Sequence, residues 1–475
     1  MKTPTTLPTD FLEKVKEILP PEEMKAFLEA TLRPLRKSVR FNRLKTNHDD
    51  DQSIADRHDW TMKSIPWCRD GYWIDHDNEA PLGNVAEHMN GQFYIQEASS
   101  MLPPMALAYA VGERPFEQVL DMAAAPGSKT TQLAAIMSNK GVLVANEYSG
   151  SRIKGLYSNL VRCGVKNGAL THYDGRVFGE YLPQMFDAIL LDAPCSGEGT
   201  IRKDPDAFKN WSEESVVELS DTQKALMESA FKALKPGGTL IYSTCTLNHQ
   251  ENQQVCEHLL NTYRDAIDVI PLNELFDGAE IAATPEGYLH IWPHHYDSEG
   301  FFVSAFRKHG ECPKKLLAPR EMPAKFPFHR PSRKQQAEIQ TEITAQYECS
   351  LDGHSLWQRD REIWLFPDAL LPMIPKMKFD RLGIKVGEQH RKELRISHEF
   401  AIAFGSTAIN KHELSPPEAE AYFMGKDIEN RSQAKRGDII CTYRGTPIGL
   451  ARVTGSRLKN KLPRELVRDQ GLTFK

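Results

Sequence analysis

Two cysteines on short polar loops are the residues of this chain best suited to covalent chemistry. Cys195 lies in LLDAPCSGEGT (Leu190 to Thr200), just after an apolar run that ends in Asp192, and Cys245 lies in IYSTCTLN after a second such run. A lone cysteine in an apolar setting is ordinarily inert packing. Two of them, each on a polar loop after a strand-like run, are hard to explain that way. Neighbouring strands would bring both thiols to one pocket. A thiol beside a methyl donor suits methylation at carbon 5 of a pyrimidine, because that carbon becomes nucleophilic only after a thiolate adds at carbon 6. Loss of the carbon 5 proton then restores the ring and expels the sulfur. A free thiol titrates near about 8.5, so such a site must also favour the thiolate. Asp192 could grip the base edge at N3 or the amino group and support the addition, and Lys129 is a further candidate for orienting the base.

These residues need a scaffold, and the sequence supplies one between Phe116 and Lys308. FEQVLDM, GVLVANE, GALTHYD, FDAILLD and GGTLIYS are short apolar runs separated by helical segments such as SKTTQLAAIM, RIKGLYSNLVRC and DTQKALMESAFKAL. That alternation predicts an α/β fold, a parallel sheet with helices on both faces. GYLHIWPHHYDSEGFFVSAFRK reads as two strands joined by a turn, an antiparallel ending to the sheet.

In an open parallel sheet, ligands sit beyond the carboxyl ends of the strands. The first run ends in Asp121 and is followed by AAAPGSK (Ala123, Ala124, Ala125, Pro126, Gly127, Ser128, Lys129), whose small residues permit close backbone approach to a ligand at a helix N-terminus. Glu147 ends the second run, where an acid can accept both ribose hydroxyls; Asp174 closes the third and Asp192 the fourth. Dinucleotide binding competes for this pattern, but GxGxxG is absent and Pro126 stands where a pyrophosphate turn wants glycine. The loop instead resembles that of S-adenosylmethionine-dependent methyltransferases.

At 475 residues the chain has room for two to four domains. The expected division is an N-terminal RNA-binding segment (1–100), a Rossmann-like methyltransferase domain (101–310), a basic Pro-rich linker (311–335) and a β-rich region (336–475). In that last region EIWLFP, RLGIKVGE and FAIAFG suggest strands, and ELSPPEAEAYFMG a helix. No secretory leader and no bilayer-spanning run is evident, so a cytoplasmic location and no membrane partner are expected. The eight cysteines show neither CxxC pairs nor zinc spacing, so no metal is expected. The net charge of -5 hides basic islands: Arg33, Arg36, Lys37, Arg40, Arg43 and Lys45 run with no acid among them, and Arg431 to Lys475 holds eleven Lys/Arg against three acids. With Lys314, Lys315, Arg320, Arg330, Arg333 and Lys334 these islands could form a phosphate track.

DMAAAPGSKT, DAPCSGEGT and YSTCTLNHQEN resemble the cofactor, PC and TC motifs of the Sun/nucleolar-protein family of RNA 5-methylcytosine methyltransferases. SVRFNRLKT and GQFYIQEASSMLP are similar to that family's N-terminal RNA-binding segment, so the likeness covers roughly residues 10–308. Two-cysteine sites of this form distinguish the RNA enzymes from the DNA enzymes, which use one cysteine. The resemblance implies S-adenosylmethionine as cofactor, Cys245 as nucleophile and Cys195 as the group that assists proton removal and product release. It carries the cofactor residues onto Ala123 to Lys129, Glu147, Asp174 and Asp192. The tail, with GDIICTYRGTPIGLARV, looks like a PUA-related RNA-binding domain. This arrangement is similar to family members that methylate one cytosine in the decoding region of 16S rRNA, which implies 16S rRNA within the 30S subunit as partner, no DNA, and a monomer. The alternatives are a tRNA substrate, a non-catalytic ribosome-assembly protein with damaged motifs, and a small-molecule methyltransferase or dehydrogenase. The last would leave the cysteines and the basic tail without a role.

Overall fold

The computed structural model describes residues 7–75, 81–204, 206–310, 326–390, 393–432, 434, 436–468 and 472–474. Helices Thr9–Ile18 and Met24–Leu32 bury Phe11, Val15 and Phe27 against Ile201, Leu247 and Trp292, so they back the second cysteine loop. Glu23 staples them to the core: its Oε2 accepts from Nε2 of His294 and of His295, each at 2.9 Å.

Strands β1 (Lys37–Phe41), β2 (Thr61–Ile65), β3 (Cys68–Asp75) and β4 (Phe93–Ile95) form an antiparallel sheet in the order β2-β3-β1-β4. This sheet corrects the reading of the first basic island as a phosphate track. Arg40 is turned inward because β1 is an interior strand, and Arg36, Arg43 and Lys45, which flank β1, find partners within the protein. Arg40 is 2% exposed and donates to Gln96 Oε1 at 2.8 Å and to Thr131 Oγ1 at 2.9 Å. Arg43 pairs with Asp51 and Asp70, Lys45 donates to the Asn90 carbonyl at 2.6 Å, and Arg36 pairs with Asp75 at 2.7 Å.

The expected core is present. Strands β5 (Gln118–Asp121), β6 (Val142–Asn146), β7 (Gly168–Thr171), β8 (Phe186–Asp192) and β9 (Leu234–Thr244) are parallel and lie in the order β7-β6-β5-β8-β9. β10 (Ile267–Val269), β11 (Leu289–Ile291) and β12 (Phe301–Lys308) complete that end, with β12 antiparallel to β9 and β11 antiparallel to β12. The apolar runs are continuous because both faces are covered: Leu143, Ala145, Leu190 and Ile241 enter one hydrophobic cluster, while Val142, Val144, Leu191 and Tyr242 enter the other. The strand order reverses between β5 and β8, which puts a crevice at their carboxyl ends. Asp121 and Asp192 are the residues that end them.

The C-terminal region is attached to this sheet. β15 (Arg381–Leu382) pairs antiparallel with β7, and β13 (His354–Arg359), β14 (Glu362–Pro367), β16 (Ile384–His390) and β17 (Glu393–Ile396) form a sheet of their own. A five-stranded sheet follows, in the order β18-β20-β21-β22-β19. Its strands are β18 (Lys411–Glu413), β19 (Ile428–Glu429), β20 (Arg436–Tyr443), β21 (Thr446–Thr454) and β22 (Arg457–Asn460). Two expectations change here. FAIAFG belongs to helix His398–Phe404, whose N-terminal Ser397 side chain accepts from Phe400 N, so its apolar run is one face of a helix. The first part of the expected linker, with Lys314, Lys315 and Arg320, lies outside the described residues. From Phe326 the chain is packed, with Phe328 centred 5.0 Å from Phe366, and Arg333 opens helix Arg333–Tyr347. Among the described residues no helix is long and apolar enough to cross a membrane.

Candidate active site

The two cysteine loops leave β8 and β9, which are neighbours, and the thiols meet: Cys195 Sγ lies 3.2 Å from Cys245 Sγ. The hydrogen bond from Cys245, burial, and the nearby carboxylates Glu251 and Asp192 all raise the Cys195 pKa well above that of an ordinary thiol. Cys195 therefore keeps its proton and can donate it to the sulfur of Cys245. Asp192 is the register partner of Ser243, whose hydroxyl donates to Asp192 Oδ1 at 2.7 Å. Its other oxygen accepts from Lys129 Nζ at 2.6 Å, and the same ammonium donates to Ser100 Oγ at 3.1 Å. The carboxylate and the ammonium hold each other in place at the thiols.

A buried carboxylate clamp fixes the geometry of the loops. Glu198 accepts from Thr246 Oγ1 at 2.8 Å, Leu247 N at 3.2 Å, Asn248 N at 3.1 Å and Trp211 Nε1 at 2.8 Å. Glu251, fully buried, accepts from Ser196 N and Gln223 Nε2 at 2.9 Å each and from Asn248 Nδ2 at 2.8 Å. Each loop thus lends an acid to the other. Gly199 N donates to the Cys245 carbonyl at 2.9 Å, and a Cβ there would lie 2.2 Å from the Gly300 carbonyl oxygen, so only glycine fits.

At the other half of the crevice, Asp121 is buried. Its Oδ2 accepts from Thr130 Oγ1 at 2.6 Å, its Oδ1 has no partner among the described residues, and burial pushes its pKa up to about 7. Ala124 N donates to the Asn146 carbonyl at 2.8 Å. Glu147 accepts from Ala125 N at 3.2 Å and Ser149 N at 2.8 Å, which ties the end of β6 to the loop after β5. The Pro126 carbonyl accepts from Asn159 at 2.9 Å, and Gly127 turns the chain with φ 106°, a left-handed value that favours glycine, before Ser128 opens helix Ser128–Ile136. Asp174 follows β7 but is half-exposed and engaged with Arg176, which holds its carboxyl below the ordinary range. No described contact joins it to Asp121 or Glu147. The structure thus brings Cys195, Cys245, Asp192 and Lys129 together, and Asp121, the Ala123 to Ser128 loop and Glu147 beside them. The sequence reading missed Ser100, Ser243, Glu198 and Glu251; the last three stand inside or beside the cysteine motifs as polar residues that packing does not explain.

This fold and site define a Rossmann-like methyltransferase core with two thiols meeting at its crevice, extended by two β-rich C-terminal modules. The profile described as "16S rRNA methyltransferase RsmB/F" matches residues 108–307, flanked by the N-terminal domain of 16S rRNA methyltransferase RsmF (7–98), a ribosomal RNA small subunit methyltransferase F pre-PUA domain (328–404) and a methyltransferase RsmF PUA domain (409–468). A Vibrio atlanticus protein named ribosomal RNA small subunit methyltransferase F is 51% identical over 471 residues, 98% of each chain, and an Escherichia coli protein of that name is 52% identical over 467 residues, 97% of each. The solved structure of a methyltransferase homologue from Pyrococcus horikoshii is 32% identical, with TM-score 0.52, and covers 64% of this chain and 100% of its own. The chain belongs to the RsmB/F family of 16S rRNA methyltransferases. S-adenosylmethionine is the methyl donor of this class.

Proposed function

We propose that this protein methylates carbon 5 of a cytosine in the decoding region of 16S rRNA, within the 30S subunit, through a covalent bond between Cys245 and carbon 6. The observation that carries this reading is the pair of thiols 3.2 Å apart beside the Asp192–Lys129 ion pair. Asp121, Ala123 to Lys129, Glu147 and Asp192 would hold S-adenosylmethionine. The unpartnered Asp121 Oδ1 and the small-residue turn at Gly127 fit such a ligand. When bound, the cofactor supplies an electrophilic methyl group.

The protein's own residues do the rest. Asp192, held by Ser243 and Lys129, accepts a hydrogen bond from the amino group of the base. Cys245, as thiolate, forms a bond to carbon 6, and the ring electrons displaced by that bond make carbon 5 nucleophilic. Cys195 retains its thiol proton while Cys245 is free; with Cys245 bonded to carbon 6, it releases that proton to solvent and the resulting thiolate takes up the carbon 5 proton after methylation, whereupon the ring double bond re-forms and Cys245 leaves as thiolate. The C-terminal module, with Arg457 and Lys459 exposed on β22 and Arg464 exposed just after it, supplies RNA affinity through phosphates. Incubating the protein with radiolabelled S-adenosylmethionine and either unmodified 16S rRNA or 30S subunits, then digesting to nucleosides, tests this. Label in 5-methylcytidine is expected, with 30S subunits the better substrate. Label on a ring nitrogen, or only in tRNA controls, would sink the reading.

A further inference from the structure

Glu299 lies in the segment that backs the thiol side of the crevice and takes no part in the steps assigned to Cys245, Cys195 and Asp192. Gly300 N, next in the chain, donates to the Gly199 carbonyl at 2.9 Å, and Gly199 N donates to the Cys245 carbonyl at 2.9 Å. One residue further, the ring of Phe301 has Lys129 Nζ 5.4 Å from its centroid. The backbone N of Glu299 donates to Glu97 Oε1 at 3.1 Å, and Glu97 Oε2 accepts from Ser100 N, whose side chain receives Lys129. The segment around Glu299 is thus tied to the loop of Cys245 on one side and to the Asp192–Lys129 pair on the other.

The side chain itself is 2% exposed, and among the described residues neither of its carboxyl oxygens has a hydrogen-bond partner. Glu198 and Glu251, equally buried, have donors on both oxygens and act as structural acceptors. Glu299 has none, so a buried charge there would be uncompensated. Burial and the negative charge of Glu97, with Cys245 adding to them, outweigh Arg202 and Lys203, and push its pKa up to about 9. Glu299 therefore carries a proton at neutral pH, and that proton has no acceptor among the described residues.

Resting on the carbon 5 reading, we propose that Glu299 is the acid that donates a hydrogen bond to the O2 carbonyl of the target pyrimidine while Cys245 adds to carbon 6. The addition makes the sulfur–carbon 6 bond and moves the ring electron pair through carbon 5 onto the N3–C2–O2 unit. A neutral acid at O2 stabilises that charge without giving up its proton, and the pair returns when the sulfur leaves.

The full-length protein, with cofactor and 16S rRNA containing 5-fluorocytidine, would be followed by denaturing gel for the rate of adduct formation from pH 6.5 to pH 10. The fluorine blocks release, so adduct reports addition directly. Glu299→Ala should form adduct about 100-fold more slowly with RNA affinity unchanged, the cost of losing one charge-stabilising donor. Glu299→Gln keeps a donor and should stay within about tenfold of wild type, and it should lack the fall in rate that wild type shows above pH 9. A wild-type rate in Glu299→Ala, or an alkaline fall that persists in Glu299→Gln, overturns the assignment. If Glu299→Ala does not fold, the pH profile of Glu299→Gln decides alone. Wild type that forms no adduct removes the carbon 5 reading and this proposal with it, whereas adduct in wild type with unaffected variants removes only the proposal.

Discussion

At the scale of single residues, the site works by deciding which group keeps a proton. Cys195 holds its own because of Cys245, burial and two nearby carboxylates, and its thiol hydrogen points to a sulfur 3.2 Å away. Asp121 shows the same effect at the cofactor end. Burial raises its pKa to about 7, so the carboxylate becomes available as an acceptor only as pH rises through about 7. S-adenosylmethionine binding should tighten over that interval and become flat with pH in Asp121→Asn, as read by calorimetry. Lys129→Met would remove the charge beside Asp192 and leave Ser100 without its donor. Methyl transfer should fall about 100-fold or more while RNA affinity changes little, measured by single-turnover kinetics. Cys195, Cys245, Asp192 and Lys129 are legible in the sequence because their types and motif spacing carry chemistry. Glu299 is not, since its significance lies in having no partner, which only the packed structure reveals.

At the scale of elements, two loops and one edge strand position everything else. Glu198 and Glu251 cross-tie the loops after β8 and β9, so Glu251→Ala leaves several buried donors unsatisfied. It should cost on the order of 3 kcal/mol in denaturant unfolding and reduce activity through displaced thiols. The strands, and the helices between them, can be read from apolar runs because both faces of the parallel sheet are buried. Helix His398–Phe404 cannot, because a six-residue apolar run is ambiguous between strand and helix without its neighbours. Its neighbours are on the catalytic domain: Glu399 accepts from the Tyr157 hydroxyl at 3.0 Å and pairs with Arg381, whose guanidinium lies 4.1 Å from the Tyr157 ring centre. Arg381→Ala should loosen the pairing of β15 with β7, seen as faster amide exchange along Gly168–Thr171.

At the scale of the whole molecule, net charge is a poor guide to where RNA binds. The first basic island reads as a footprint in sequence, yet Arg40 is buried on the interior strand β1, and Arg36, Arg43 and Lys45 beside it are engaged by Asp75, by Asp51 and Asp70, and by the Asn90 carbonyl. Arg457, Lys459 and Arg464 remain exposed. Replacing all three with Ala should weaken 16S rRNA binding at low salt. The slope of log affinity against log salt, from filter binding across a salt series, should become shallower by about 0.7 to 0.9 for each phosphate that is no longer neutralised. The central claim, however, is the division of labour between the thiols. The measurement that bears on it most directly is a denaturing gel of wild type, Cys195→Ala and Cys245→Ala after incubation with 30S subunits and S-adenosylmethionine. A covalent protein–RNA band that accumulates only in Cys195→Ala, with neither adduct nor methylation in Cys245→Ala, is the expected result. A band that accumulates in Cys245→Ala instead would contradict the assignment and make Cys195 the nucleophile.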